Sequence, residues 1–174
     1  MGFRVDPPVK EIHIQYYRTP FTELILGSFE ERLCLLDFKD RKKRKSLDRR
    51  IQKGLDAVYV EQDNTLLRQT KKELDEYFAG ERKTFDLPLL TVGTPFQLKV
   101  WETLQSIPYG MTATYAQLAQ KAGRPEAVRA VANAVGDNAI AIIIPCHRII
   151  GSGGTLTGYA GGLPLKQRLL ERER

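Results

Sequence analysis

The stretch Ile140-Ala-Ile-Ile-Ile-Pro-Cys-His-Arg148 constrains this chain more than any other. A short apolar run, rich in β-branched residues and closed by proline, reads as a buried strand. Pro145 cannot donate to a ladder and fixes its own φ, so the chain must turn there. A thiol, an imidazole and a guanidinium follow at once, in Cys146, His147 and Arg148. Two readings stand. One is a small buried cysteine that ends a core strand. The other is a nucleophile held rigidly at a strand end, with a base and a cation at hand to favour thiolate. Adjacency alone does not decide, because neighbours on an extended chain point to opposite faces.

Such a turn needs a core around it, and 174 residues with 42% apolar content suffice for one domain or two small ones. The longest apolar run, about 139–144, is far too short to cross a bilayer. Asp6, Pro7, Pro8 and Lys10 interrupt any signal-peptide pattern, so a cytoplasmic protein is expected. Cys34 is the only other cysteine, which suits free thiols in a reducing compartment. With His13 and His147 as the only histidines there is no zinc spacing, and no metal is expected. The net charge of +6 permits an anionic partner. Residues 91–174 carry nine Lys or Arg against five Asp or Glu, spread along predicted helices. The denser run Arg41-Lys-Lys-Arg-Lys45 falls in a segment expected to be a loop, where it reads as a solvated face.

Along the chain, residues 1–11 read as a loose lead-in. Strand patterns follow at Ile12 to Arg18, Thr22 to Phe29 and Arg32 to Phe38, with turns at Thr19-Pro20 and Glu30-Glu31. An antiparallel meander is the economical arrangement. A short helix is expected near Ser46 to Lys53, and a longer one from Asn64 to Phe78 with Gly80 as its stop. Pro88 and Gly93 mark the expected domain boundary, giving units of 1–90 and 91–174. Thr94-Pro95 opens a helix to about Gln105, its stripe of Phe96, Val100, Trp101 and Leu104 facing a core. Thr114 and Gln117 form a capping-box pattern for a helix that ends at Gly123. A further helix runs from Arg124-Pro125-Glu126 to Gly136, and a last one, opened by Pro164, covers Leu165 to Glu173.

A short helix, a glycine turn and a second helix crowded with alanine match a helix-turn-helix, though two core helices packed closely would read the same way. Arg129 is the long cation on that small-residue surface. The loops Gly151-Ser-Gly-Gly154 and Gly158-Tyr-Ala-Gly-Gly162 suggest backbone folded tightly around a small cavity. P-loop and dinucleotide spacings are both absent, so no nucleotide cofactor is expected.

These pieces together resemble the O6-alkylguanine-DNA alkyltransferases, the methylated-DNA–protein-cysteine methyltransferases. The resemblance rests on Gly-Thr-Pro-Phe-Gln (93–97), Ile-Pro-Tyr-Gly (107–110), Thr-Tyr-Ala-Gln-Leu-Ala (114–119) and Arg-Ala-Val-Ala (129–132). It continues with Ile-Pro-Cys-His-Arg-Ile-Ile (144–150) and Gly-Tyr-Ala-Gly-Gly (158–162). Residues 1–80 share only a layout, a small sheet plus helix. The resemblance implies an α/β (α+β) fold: a ribonuclease-H-like N-terminal sheet and helix domain, then a mainly helical domain with a helix-turn-helix and a short active-site strand. It implies stoichiometric DNA repair, the alkyl group of O6-alkylguanine, or O4-alkylthymine, passing irreversibly to Cys146. His147 would act on the thiol through a water, and Glu173 would hold the tautomer of His147. Tyr115 would donate to the leaving base, and Asn138 would brace the turn before the active-site strand. Cys146, Ile149 and Ala160 would read the base edge by backbone groups, with Tyr159 closing the pocket.

The implied partner is double-stranded DNA, bound by a monomer from the minor groove without sequence preference, with the damaged base flipped out. Arg129 would fill the vacated stack. Thr94, Arg124, Ala127, Ala130 and Gly151 would line the DNA-binding face, and the small side chain of Ala134 would suit the same shallow approach. Neither metal nor cofactor is implied. Three rivals remain: a lesion sensor that binds without transfer, whose relatives lack the cysteine; a thiol hydrolase using Cys146 and His147; and a plain transcription regulator, which would leave the Pro-Cys-His-Arg turn unexplained. The second would leave the helix-turn-helix unexplained.

Overall fold

The computed structural model describes residues 2–174, so Met1, at the head of the expected lead-in, lies outside it. Strands β1 (Lys10–Arg18), β2 (Glu23–Phe29) and β3 (Arg32–Phe38) form the meander that alternation predicts, each antiparallel to the next. The Glu30-Glu31 turn takes φ values of 49° and 62°, the positive-φ pair of a tight hairpin. Helix α1 (Arg44–Leu55) is longer than expected and starts inside the basic run. It ends at Asp56 in the left-handed region and delivers β4 (Ala57–Glu61), a strand beyond the three that the sequence pattern predicts. Strand β4 pairs parallel to β1, giving the order β3-β2-β1-β4, so the sheet is mixed rather than purely antiparallel. The parallel pairing follows from the crossover through α1.

The sheet has two buried faces because its strands alternate. Leu24 and Leu26 of β2 point to one side, and Ile25 to the other, where α1 contributes Leu47 and Ile51. The first face receives α2 (Thr65–Phe78), capped by the Asn64 side chain accepting from the Leu67 N–H. That apolar cluster continues without a break into the second half of the chain, through Trp101, Leu118, Val131, Ile144 and Leu169.

In that second half, α3 (Pro95–Gln105) starts where Thr94-Pro95 predicts, with a capping box to Gln97. Two-residue strand β5 (Ala113–Thr114) leads directly into α4 (Tyr115–Lys121), whose capping box joins Thr114 and Gln117. After Gly123 at φ 75°, α5 (Val128–Gly136) begins later than the Arg124-Pro125 signal suggests. Strand β6 (Ile149–Ile150) pairs with β5, and α6 (Leu163–Arg172) closes the fold.

The buried strand expected at 140–144 does not form. Ile140 makes a single bridge to Leu36, after which the chain turns at Ile142, a β-branched residue at φ 71°. The run is apolar because every side chain but Ile143 is fully buried, not because it pairs as a strand, and a continuous apolar run carries no period that could tell the two apart. No described helix is long and apolar enough to cross a membrane.

Candidate active site

Cys146 follows this turn directly and opens a single 3-10 turn, Cys146–Arg148, with the Cys146 N–H donating to the Ile144 carbonyl at 2.8 Å. The turn is held by Asn138, which is almost wholly buried. Its Nδ2 donates to the carbonyls of Ile140 (3.3 Å) and Ile144 (2.9 Å), and its Oδ1 accepts from the Ile140 N–H (3.0 Å). One side chain thus satisfies three backbone groups in a segment without a ladder, which offsets the cost of the left-handed Ile142.

The 3-10 turn separates the two neighbours that an extended chain would have placed on opposite faces. Cys146 is half-buried and free, while His147 is fully buried. His147 Nε2 lies 2.8 Å from Glu173 Oε2. Burial alone would raise the Glu173 carboxyl, but the hydrogen bonds from His147 and Arg148 hold it at about 2. An ionised carboxylate only accepts, so the proton of neutral His147 sits on Nε2 and Nδ1 keeps its lone pair. Nδ1 is buried and has no protein partner. Burial pushes the imidazole below its ordinary value, against the pull of Glu173, so it stays neutral.

Burial also pushes the Cys146 thiol up, opposed by the Asn138 amide and by the charges of Arg41 and Lys166. The neighbouring Arg148 is not the thiol's cation, contrary to expectation. Its Nε and Nη2 donate to Glu173 (2.8 and 3.1 Å) and its Nη1 donates to the Ile107 carbonyl (2.7 Å). The buried carboxylate needs that charge more than the half-exposed thiol does.

The other expected residues are placed as follows. Tyr159 stands edge-on to His147 and to Phe38, its hydroxyl buried without a partner. Ile149 is fully buried in β6, and Ala160 is exposed. Tyr115 is the first residue of α4, its hydroxyl 3.8 Å from where a Gly158 Cβ would lie. Gly151 is tightly packed, since a Cβ there would come within 2.7 Å of Thr155 Oγ1. Arg129 and Ala130 are exposed on α5, Ala127 is half-buried at its N-cap, and Arg124 is exposed and lies over the Phe96 ring. Thr94 is exposed, but its side chain is engaged in capping α3. Ala134 does not belong to this surface. It is buried against α3, its carbonyl accepting from Trp101 Nε1 at 2.8 Å.

Three residues of the surroundings were not singled out from the sequence. Lys166, expected only as part of a helix, is fully buried and donates to the carbonyls of Thr157 (2.8 Å) and Gly158 (3.3 Å), tying the second glycine loop to α6. Arg41 is not the solvated cation expected of a basic run. It donates to the Asn138 carbonyl (3.1 Å) and the Gly136 carbonyl while facing Asp37, which is fully buried and needs its charge compensated. With Lys42, Lys43, Tyr159 and Ala160 it lines a cleft of about 420 Å³. Tyr77 of α2 donates to Glu173 from the first half of the chain. Each looks like an ordinary helix or loop residue in sequence.

Residues 12–91 match the family model described as 6-O-methylguanine DNA methyltransferase, ribonuclease-like domain, and residues 95–174 match that family's DNA binding domain. A methylated-DNA–protein-cysteine methyltransferase of Methanosarcina acetivorans is 42% identical over 90% of this chain and 95% of its own length. A constitutive one of Bacillus subtilis is 44% identical over 92% of this chain and 96% of its own. Among solved structures, Mycobacterium tuberculosis OGT in complex with DNA superposes with a TM-score of 0.79, at 38% identity over 92% of each chain.

Proposed function

Because this chain belongs to the 6-O-methylguanine DNA methyltransferase family, and so repairs alkylated DNA by alkyl transfer to protein cysteine, we propose that Cys146 is the acceptor and that His147 and Glu173 activate it. The observation that carries this reading is the chain of contacts from Glu173 to His147 Nε2, which leaves Nδ1 as a buried, neutral base next to a half-exposed thiol. The thiol proton passes to Nδ1 through a water, because sequence neighbours on a 3-10 turn do not meet directly. Sulfur then attacks the alkyl carbon in line, a C–S bond forms, and the C–O6 bond breaks with its electron pair going to the guanine. Tyr115 donates to the departing base, and the proton released from the thiol balances its charge. Asn138 keeps Cys146 in register, Tyr159 closes the pocket, and the backbone of Cys146, Ile149 and Ala160 reads the base.

The base reaches this pocket by leaving the duplex. Arg129, exposed on α5, fills the gap from the minor groove, and Thr94, Arg124, Ala127, Ala130 and Gly151 approach the backbone without reading sequence. The protein acts as a monomer, with units 1–90 and 91–174 as its domains. The thioether is stable and no described group is placed to cleave it, so each molecule reacts once. O4-alkylthymine is a second substrate of the same pocket. Incubation with duplex DNA carrying O6-methylguanine tests the assignment: the tryptic peptide 130–148 should gain one methylene, once per molecule. Gain on the peptide that holds Cys34, or repeated turnover, refutes it.

A further inference from the structure

The carboxylate of Glu173 is held from four directions, and one of them is the other half of the chain. His147 Nε2 and Arg148 Nη2 reach Oε2 at 2.8 and 3.1 Å, and Arg148 Nε reaches Oε1 at 2.8 Å. The fourth donor is Tyr77, in the last turn of α2, whose hydroxyl meets Oε2 at 2.6 Å across 96 residues of sequence. Its ring is fully buried, edge-on to Phe78 and Tyr109 and tilted against Phe85. A buried tyrosine needs a partner for its hydroxyl, and Glu173 provides one. Packing alone does not account for where the bond lands, however. It falls on the oxygen that His147 uses, and an ionised acceptor makes it a charge-assisted bond.

We infer that Tyr77 is a positioning residue for alkyl transfer: its hydroxyl fixes Glu173 Oε2 against His147 Nε2 and shares that oxygen's charge, so that the imidazole presents Nδ1 to the thiol. The inference rests on the reading of His147 as the base. The groups that face this pair are Arg148 on the 3-10 turn, Lys166 on α6, Tyr109 in the loop before β5 and Tyr159 at the edge of the imidazole. Of these only Arg148 also donates to the carboxylate, and it does so from within the active-site motif. Tyr77 is the donor that the first half of the chain supplies.

The sign of its effect follows from electrostatics. The hydroxyl dipole has its positive end at Oε2, so it weakens the pull of the carboxylate on a protonated imidazole. Neutral His147 is the reactive form, and transfer should fall as pH drops through its titration. In Tyr77→Phe, which keeps the ring, that acid limb should move up by about half to one pH unit, slowing transfer roughly three- to tenfold below the limb. DNA affinity should stay near the parent value, while the melting temperature falls by a few degrees because a buried charge-assisted bond is lost. A difluorotyrosine incorporated at position 77 is a stronger donor and should move the limb the other way, which also covers a Phe variant that does not fold.

Single-turnover rates on saturating O6-methylguanine duplex across pH read all of this, with His147→Gln as reference. If the acid limb persists in His147→Gln, His147 is not the base, and the proposed mechanism falls together with the inference. If the limb vanishes there yet stays in place in both Tyr77 variants, the mechanism stands and the inference is overturned. A uniform loss of rate at every pH, with the acid limb unmoved, overturns it too, because it marks the hydroxyl as a packing partner only.

Discussion

The molecule contains two thiols, and both are pushed up by burial. Cys34 lies in β3 between aliphatic side chains, its one polar contact the Gly27 carbonyl at 3.6 Å, and its thiol is raised to about 12. Cys146 is raised as well, but the Asn138 amide, Arg41 and Lys166 all act against the burial, and the next residue in the chain is the buried His147. Desolvation therefore does not distinguish Cys34 from the proposed acceptor, Cys146. Polar groups fixed nearby do, and they can be fixed there because the backbone leaves its ladder at Ile140 and exposes carbonyls for Asn138 to bind. A regular strand such as β3 offers no such handles.

The largest expected effect breaks this comparison outright if it fails. Cys146→Ala should abolish transfer from methylated duplex, with DNA binding retained in a gel-shift titration. Residual stoichiometric transfer would make Cys34 the acceptor and the comparison worthless. Glu173→Gln sharpens it by removing the carboxylate while keeping the shape. Single-turnover transfer should slow by about a hundredfold to ten-thousandfold at neutral pH. Breaking the ion pair leaves Arg148 buried without a counter-charge, at a cost of about 3–5 kcal/mol in denaturant unfolding. The same variant tests pH dependence. Because folding lowers the Glu173 carboxyl from 4.5 to about 2, its stabilisation is complete above pH 4.5 and is lost as pH falls toward 2. In Glu173→Gln, that part of the acid destabilisation should be missing.

Arg129→Ala comes next. If the side chain replaces the flipped base, repair of subsaturating duplex should slow by about tenfold to a few hundredfold. Reaction with free O6-benzylguanine, if the pocket admits it, should not change, because no stack is opened. Full recovery of the rate at saturating DNA would reduce Arg129 to a phosphate contact, and equal slowing on both substrates would make it part of the pocket's framework. The smallest effect belongs to Cys34→Ala, which should leave transfer unchanged and cost about 1 kcal/mol of stability.

Much of the fold is legible in the sequence wherever one residue carries a local signal. Thr94-Pro95 and Thr114-x-x-Gln117 each place a helix start to the residue, because a cap is a bond between near neighbours. Strand β4 escaped because Ala-Val-Tyr-Val-Glu is short and half-exposed, and its pairing partners in β1 lie 47 residues earlier in the chain. The 140–144 run misled for the opposite reason, since full burial erases any period. The site divides in the same way. Cys146, His147 and Arg148 stand together in sequence, whereas the partner of each is decided by the fold. Arg148 reads as the thiol's cation until Glu173 arrives, and Tyr77 is indistinguishable from Leu74 as an apolar position on α2.

The bond from Tyr77 to Glu173 also bears on how the protein folds. It closes a loop of 96 residues, and Arg41 closes one of 97 on the Asn138 carbonyl. Contacts this distant form late, after the loop-closure entropy has been met by the packing of the elements between them. Sheet, α2 and helix-turn-helix can each gather locally, but the contacts around Glu173 are not complete until they have docked. On the proposed mechanism, an incompletely folded chain would carry Cys146 as an ordinary, slow thiol, and the capacity to react would arise only with the native state.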